Sequence, residues 1–385
     1  MNKDKILRAI DRLSQNALFN LSLTSKELFH SNFWAWLIRK YPNIFALVFG
    51  IDDIKENKLK INREKYHFDL SIKTNNKLII IENKLKSLPN KSQLDKYSKI
   101  SLPFDKKLIL ISYINPNPLF NASLLGLELF DTDIEWECLN YKELCRRIKK
   151  CYESSKSSDF KNNDSVLIQE YISFLENLNE LNSCVEIDDS DKIGDLWSLL
   201  KDSKIKEKLS EINFQKTFER LFTSKLTEKV LYGFKFTDNI DEIRIDCGKD
   251  LKIFSDILFY FPGAWDKDEN KRQDLCFLGV SLWENYYRYY AGLHKKQCNI
   301  NLPKQGRYDK GNKQLGFKYL YENYPWFFNL EDGSGILNGY SYPDEMYLYK
   351  KIDVSNYTIA ELTKKVQYDL SLIHTYIDDF RKTSL

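Results

Sequence analysis

Apolar positions along this chain recur at a helical period in some segments and alternate in others, and the changes of period mark its elements. The opening MNKDKILRAI predicts a helix over about 3–16. A second helix runs from Thr24 to about Arg39, ahead of Pro42. It opens with Thr24-Ser25-Lys26-Glu27, a capping-box sequence in which Glu27 reaches back to the cap's backbone N–H. Residues Lys60–Thr74 and Lys77–Asn83 change to β-branched and apolar alternation. The pair Asn75-Asn76 between them suits a two-residue turn, because Asn tolerates positive φ. A helix over Lys91–Ser101, strands over Lys107–Ile114 and Ile134–Leu139, and a helix over Tyr141–Tyr152 follow. After a polar loop, Ser154–Ser165, comes a helix over Val166–Leu181 with apolar positions 167, 171, 174, 178 and 181. Strand, helix, strand in that order implies a right-handed parallel crossover beside an antiparallel hairpin, hence a mixed sheet. The acidic run Glu186–Asp191 marks a boundary, giving a first domain over 1–185 and a second over 190–385.

The second half has another texture. Rings crowd Trp283–Tyr290, Phe317–Tyr324 and Trp326-Phe327-Phe328. Strands are expected over Phe234–Phe236, Glu242–Asp246, Lys252–Phe261, Leu275–Trp283 and Met346–Ile352. A last helix begins at the capping box Thr358-Ile359-Ala360-Glu361, with its apolar stripe at 359, 362, 366, 370, 373, 377 and 380. This reads as an α+β domain. Its rings either form a core or, with Tyr286, Tyr287 and Arg288 among them, stack bases and contact phosphates. Its other expected role is homodimerisation.

Chemistry concentrates between Lys58 and Tyr97. With Thr74 paired to Lys77, each strand residue faces the one whose number brings the sum to 151, so Asp69 faces Glu82 and His67 faces Lys84. Like charges directly opposed across two strands are destabilising. A divalent cation held by both carboxylates would offset that repulsion. Lys84, two residues beyond Glu82, shares its face. Two carboxylates and an ammonium together suit metal-assisted hydrolysis of a phosphodiester: hard oxygens hold Mg²⁺, with Mn²⁺ as a substitute, and the lysine orients or deprotonates water and offsets charge on phosphate. The bland alternative is a surface hairpin whose polar face happens to carry these residues. Against it, Leu78-Ile79-Ile80-Ile81 is apolar on both faces, as in a buried central strand, and a charged ending is a poor choice for stability alone.

Asp69, Glu82-Asn83-Lys84 and Gln93-Leu94-Asp95-Lys96-Tyr97 resemble the second, third and fourth motifs of the PD-(D/E)XK nuclease superfamily, the last typical of its RecB-like members. Glu27 to Leu37 is similar to the helical first motif of one bacterial branch. Phe68 stands where the superfamily has Pro. The resemblance covers about Thr24–Asn140 and does not reach past about 185. It implies an α/β fold with a restriction-endonuclease-like core, a mixed central sheet flanked by helices, in addition to the second α+β domain. It implies that Asp69, Glu82 and the backbone carbonyl of Asn83 are metal ligands, that Glu27 reaches the metal or its water, and that Lys84 is the catalytic lysine. Gln93 and Tyr97, four apart on a helix and so pointing the same way, would touch phosphate or water. The activity implied is a DNA endonuclease, in phage defence or a mobile element. An RNA nuclease and a non-catalytic nucleic-acid-binding protein on the same fold are the alternatives.

Composition changes this picture little. Lys and Arg total 58 against 55 Asp and Glu, so a nucleic-acid surface must come from local clusters. Lys86, Lys91 and Lys96 follow Lys84 and form a candidate phosphate track, whereas Arg146–Lys150 suits a solvated helix face. The 7 cysteines are scattered and form no disulfide framework, and His294 and Cys298 lack the paired C-x-x-C of a structural zinc site. With neither a signal peptide nor a membrane-spanning run expected, the reading is a cytoplasmic protein without membrane contact.

Overall fold

The computed structural model describes residues 1–23, 26–51, 59–64, 68–74, 77–87, 91–100, 105–114, 136–156, 159–234, 242–247, 255–261, 276–294, 306–307, 337–341 and 345–384. They divide into two units. The first takes the described residues as far as Glu186 together with Leu199–Leu221; the second takes Ile187–Ser198 and those from Phe222 onward. The protein is mixed α/β, with one mixed five-stranded sheet flanked by helices and a second, separate sheet.

The first unit opens with helices α1 (Lys3–Gln15), α2 (Ala17–Ser22), α3 (Lys26–Lys40) and the short α4 (Pro42–Phe45). Asparagine side chains start two of these. Asn2 accepts from Lys5 N at 3.1 Å and Asn16 from Phe19 N at 2.9 Å, each meeting a donor that a first helical turn leaves unpaired. Strands β1 (Lys60–Arg63), β2 (Leu70–Lys73), β3 (Lys77–Lys84), β4 (Asp105–Ser112) and β5 (Trp136–Asn140) lie side by side in chain order. The first three are antiparallel and the last three parallel. Helix α5 (Lys91–Ser98) makes the crossover from β3 to β4. The register of β2 on β3 keeps the sum of 151 from Leu70↔Ile81 to Lys73↔Leu78.

Ile79, Ile80 and Ile81 are fully buried, so β3 is covered on both faces, as expected for a central strand. On the face of Ile80, α5 contributes Leu94 and Tyr97 to a cluster with Phe68, Leu108, Leu110 and Trp136. Toward the other face, α3 lies against β3, and α6 (Tyr141–Glu153) packs against β4 and against α7 (Asn162–Ser183).

Several expectations change here. The single strand expected over 60–74 is two, β1 and β2, paired with each other; Glu64, just past β1, has φ 53, a turn conformation. Helix α7 begins at Asn162, inside the expected loop, and its buried stripe starts at Ile168, leaving Leu167 exposed. Three helices were not foreseen: α8 (Ile193–Leu200), α9 (Ser203–Glu211) and α10 (Gln215–Leu231). The first unit accordingly extends beyond the expected 1–185. Phe214 sets its ring edge-on to Phe19 at 6.1 Å and to Tyr113 at 5.7 Å, and Lys208 pairs with Asp11.

The second unit holds a wholly antiparallel sheet in the order β10-β11-β12-β9-β8-β7-β6. Its strands are β6 (Glu242–Cys247), β7 (Ser255–Phe261), β8 (Cys276–Trp283), β9 (Tyr286–His294), β10 (Gly306–Arg307), β11 (Leu337–Ser341) and β12 (Glu345–Asp353). Strands β9, β10 and β11 had not been assigned from the pattern. Glu284, at φ 56, lies in the two-residue turn between β8 and β9. The closing helix, α11 (Ile359–Ser384), opens on the expected capping box: Thr358 N donates to Glu361 Oε2 at 2.8 Å, and Glu361 N to Thr358 Oγ1 at 3.2 Å. Phe234 follows α10 with no strand assigned to it, and 235–236 lie outside the described residues. So do Thr24-Ser25, His67, Asn75-Asn76, Cys298, Phe317–Tyr324 and Trp326-Phe327-Phe328. Among the described residues no helix is long and apolar enough to cross a membrane.

Phe214 tests the enlarged first unit. Phe214→Ala should cost about 3–5 kcal/mol in urea unfolding, the usual loss for truncating a buried ring. A loss below about 1 kcal/mol would separate 199–221 from that core.

Candidate active site

The site forms where the apolar centre of β3 ends. Pleating sends Leu78, Ile80, Glu82 and Lys84 toward α5, and the last two form the polar end of a face that is otherwise core. The β2–β3 ladder stops at Leu70↔Ile81, and the backbone bends at Asp69. That bend lets Phe68 set its ring against Tyr97 at 4.9 Å. Asp69 Oδ2 accepts from Asn83 N at 2.7 Å, so a carboxylate takes the place of the next rung of the ladder. Asp69 therefore lies one step beyond the paired strands, and its negative charge acts on Glu82.

Glu82 is buried. Its Oε1 accepts from Lys84 Nζ at 2.7 Å and from Gln93 Nε2 at 2.9 Å; its Oε2 is buried with no hydrogen-bond partner. Gln93 Nε2 also donates to the Tyr97 hydroxyl at 2.8 Å. The expected helix pair thus reaches the expected acid. Glu27 arrives from α3. Its Oε1 accepts from Ser87 Oγ at 2.6 Å, from Ser87 N at 3.1 Å and from Lys86 N at 3.4 Å, which ties α3 to the chain leaving β3.

The side chain of Asn83 projects to the opposite face. Its Oδ1 accepts from the Tyr141 hydroxyl at 2.7 Å, and its Nδ2 donates to Glu27 O at 3.3 Å. The backbone that bears the acids is thereby gripped from behind. His30, one turn beyond Glu27, is wholly buried. Its Nδ1 meets the Tyr171 hydroxyl at 2.7 Å, and burial lowers its pKa to about 3, so it stays neutral as a part of the core.

The electrostatics follow from this crowding. Burial and then Asp69 raise the Glu82 pKa to about 7, against the pull of Lys84. Burial raises Asp69 as well, despite its bond from Asn83 N. Burial works to deprotonate Lys84, but Glu82, Glu27 and Asp69 together outweigh it and hold the ammonium's pKa above its ordinary value. Three carboxylates thus act on one cation. Burial, Glu82 and Asp69 raise Tyr97, which keeps its proton.

Among the described residues no three His, Cys, Asp or Glu side chains gather as a metal-binding group. The donors available are the Asp69 and Glu82 carboxylates and the Asn83 backbone carbonyl. Such a set is thin for calcium or zinc but fits Mg²⁺, which is bound through one or two carboxylates while keeping several waters. The buried, unpartnered Glu82 Oε2 and the excess of negative charge fit a hard cation.

Of the candidate phosphate contacts, Lys86 is half-buried, Lys96 is exposed on α5, and the Lys91 side chain lies outside those described. The pattern gave no hint of Arg220, whose Nη1 donates to Lys86 O at 2.8 Å. Nor did it single out Ser87 or Tyr141; no spacing rule links them to the motif, and only the fold brings them there. The Arg146–Lys150 cluster is largely paired: Arg146 and Arg147 bind Glu143, and Lys149 binds Glu176. In the second unit Tyr286 and Arg288 are half-exposed. Tyr287 corrects the expectation of a nucleic-acid contact: it is buried, and its hydroxyl donates to Asp369 at 2.9 Å. Comparison with models of protein families, with curated proteins and with solved structures finds no match to this chain.

The raised Glu82 pKa fixes the sign of a stability effect. A carboxyl with a higher pKa folded than unfolded stabilises the fold fully below its unfolded pKa, and that contribution is lost as pH rises through the folded value, about 7. Glu82→Gln should therefore unfold at higher urea than the parent at pH 8 in EDTA, with the gap closing toward pH 5. An equal gap at both pH values would place the raised pKa elsewhere.

Proposed function

We propose that the first unit is a metal-dependent phosphodiesterase on a restriction-endonuclease-like core, with DNA its favoured substrate. The observation that carries this reading is the convergence of Asp69, Glu82 and Glu27 on Lys84 at the end of a central strand, with Glu82 Oε2 buried and unpartnered. A structural role alone would not retain so unfavourable a set, because an apolar pair in its place would cost less.

Asp69, Glu82 and the carbonyl of Asn83 would hold Mg²⁺, or Mn²⁺ in its place. Such an ion supplies Lewis-acid stabilisation of the charge on a phosphate under attack. The other roles fall to side chains. Lys84, held protonated by its three acidic neighbours, offsets negative charge on the phosphate and does not serve as the base. Gln93 orients the Glu82 carboxylate by donating to Oε1, and its second contact holds the Tyr97 hydroxyl at the same place. Glu27 fixes the turn of Lys86 and Ser87, so that the backbone after Lys84 is set before substrate arrives.

Incubation with supercoiled plasmid, linear duplex, single-stranded DNA and RNA, each with Mg²⁺, Mn²⁺ or EDTA, tests the reading. Cleavage should require the metal and favour a DNA substrate. Lys84→Ala should lower the rate by roughly a hundredfold or more, the usual loss of a charge-stabilising group, while Mg²⁺ affinity by calorimetry stays near that of the parent. Asp69→Asn should lose both, yet melt at a higher temperature without metal through relief of acid repulsion. Cleavage by Lys84→Ala at the parental rate would sink the assignment. Tight binding without cleavage of any substrate would favour the non-catalytic scaffold.

A further inference from the structure

The second unit's sheet has two unlike faces. Pairing of Leu282↔Tyr287, Val280↔Tyr289 and Lys350↔Tyr289 sends Tyr287 and Tyr289 to one face. Both are buried there, and Tyr287 bonds to Asp369 of α11. The intervening residues face the other way: Trp283 pairs with Tyr286, and Arg288 with Lys351. On that face the guanidinium of Arg288 lies 3.7 Å from the Trp283 ring centroid and 5.0 Å from that of Tyr349. The ammonium of Lys351 lies 4.2 Å over Tyr286. Tyr340 extends the row, stacked on Tyr349 at 6.0 Å with planes 8° apart. Trp283 is 36% exposed, Lys351 is exposed, and Tyr286, Arg288 and Tyr340 are half-exposed.

We propose that this face of β11, β12, β9 and β8 binds single-stranded nucleic acid, with bases stacking on Trp283, Tyr286 and Tyr340 and phosphates meeting Arg288 and Lys351. Rings give every base a surface to stack on without regard to sequence, and cations between them track the backbone. Asp353 lies opposite Tyr286 at the end of this face, where its Oδ1 accepts from Ser355 N at 2.8 Å. A broad sheet cannot enter a duplex groove, which admits one helix or a two-stranded ribbon, so unpaired strands are the form this face can stack against. A neutral sugar chain would use the rings but gain nothing from the cations.

The proposal shares with the phosphodiesterase reading only its class of ligand. The test uses the full chain in EDTA, where metal-dependent cleavage cannot intervene. Fluorescence anisotropy would follow labelled oligo(dT), an oligouridylate and a duplex of equal length, with a soluble β-glucan oligomer as a neutral competitor. Oligo(dT) or the oligouridylate should bind more tightly than the duplex, with affinity falling as salt rises. Trp283→Ala with Tyr286→Ala should weaken binding about tenfold or more, whereas the same two positions changed to Phe should retain it. Lys351→Glu, at an exposed strand position, should weaken binding and flatten its salt dependence even if the ring variants prove unstable. Parental affinity in folded ring variants and in Lys351→Glu would overturn the proposal. So would tighter binding of the duplex, or displacement of oligo(dT) by the glucan. Binding by this face without cleavage by the first unit would leave the platform standing and the phosphodiesterase fallen; metal-dependent cleavage with parental binding in the face variants would show the reverse.

Discussion

The bond from Asn83 N to Asp69 Oδ2 is the contact on which the first unit's site depends. Up to Leu70↔Ile81 the hairpin is held by backbone pairing, and beyond it a side chain takes over. That exchange frees the chain to bend at Asp69 and bury Phe68 against α5, while fixing a carboxylate beside the end of β3. An uncharged side chain of the same length could accept the N–H, but would not bring a second negative charge to Glu82. The ladder's end and the site's charge are therefore one feature.

Around this contact the end of β3 is held from several directions. Lys84 and Gln93 share Glu82 Oε1 in front, Tyr141 and the Glu27 carbonyl hold the Asn83 amide behind, and Arg220 and the Glu27 carboxylate hold the residues just beyond. Apart from Lys84, which belongs to β3 itself, the partners come from four helices: α5, α6, α3 and α10. Packing a polar strand end so closely carries a desolvation cost, which surfaces as the raised pKa of Glu82 and Asp69. The helices that supply these bonds also bury apolar residues, among them Leu94, Leu144, Trp34 and Phe218, and that burial offsets the cost.

How much of this was legible depended on range. The apolar run before Glu82 and the i, i+4 pair Gln93/Tyr97 are local and reappear in the fold, and the sum of 151 holds from Leu70↔Ile81 to Lys73↔Leu78 but stops one step short of Asp69 and Glu82. The capping box at Thr358 and Glu361 is equally local, and its reciprocal bonds are present. Tyr141 and Arg220 were illegible because what brings them to β3 is the packing of α6 and α10, across sequence separations of 58 and 134 residues. The helices between 193 and 231 escape the pattern because the acidic run Glu186–Asp191 reads as a boundary and α10 buries Thr217, Thr223, Ser224 and Thr227 among its apolar residues, which blurs its stripe. Tyr287 was misjudged for another reason. A run of rings does not say which face of a strand is solvent, and here α11 covers Tyr287 and Tyr289.

The two acids at the end of β3 also bear on how the site would meet a cation. A carboxyl with a pKa of about 7 is only partly ionised at neutral pH, so a proton and a metal compete for the same oxygens. Below that range the proton wins, and the repulsion between Glu82 and Asp69 is relieved. Above it, Glu82 is charged beside Asp69, and among the described residues Lys84 is the cation paired with it. A hard divalent cation offers what a second lysine could not: two charges shared among oxygens, with coordination positions left for phosphate and water. On the proposed reading, a metal would be favoured most where both acids are charged, above the range of the Glu82 pKa.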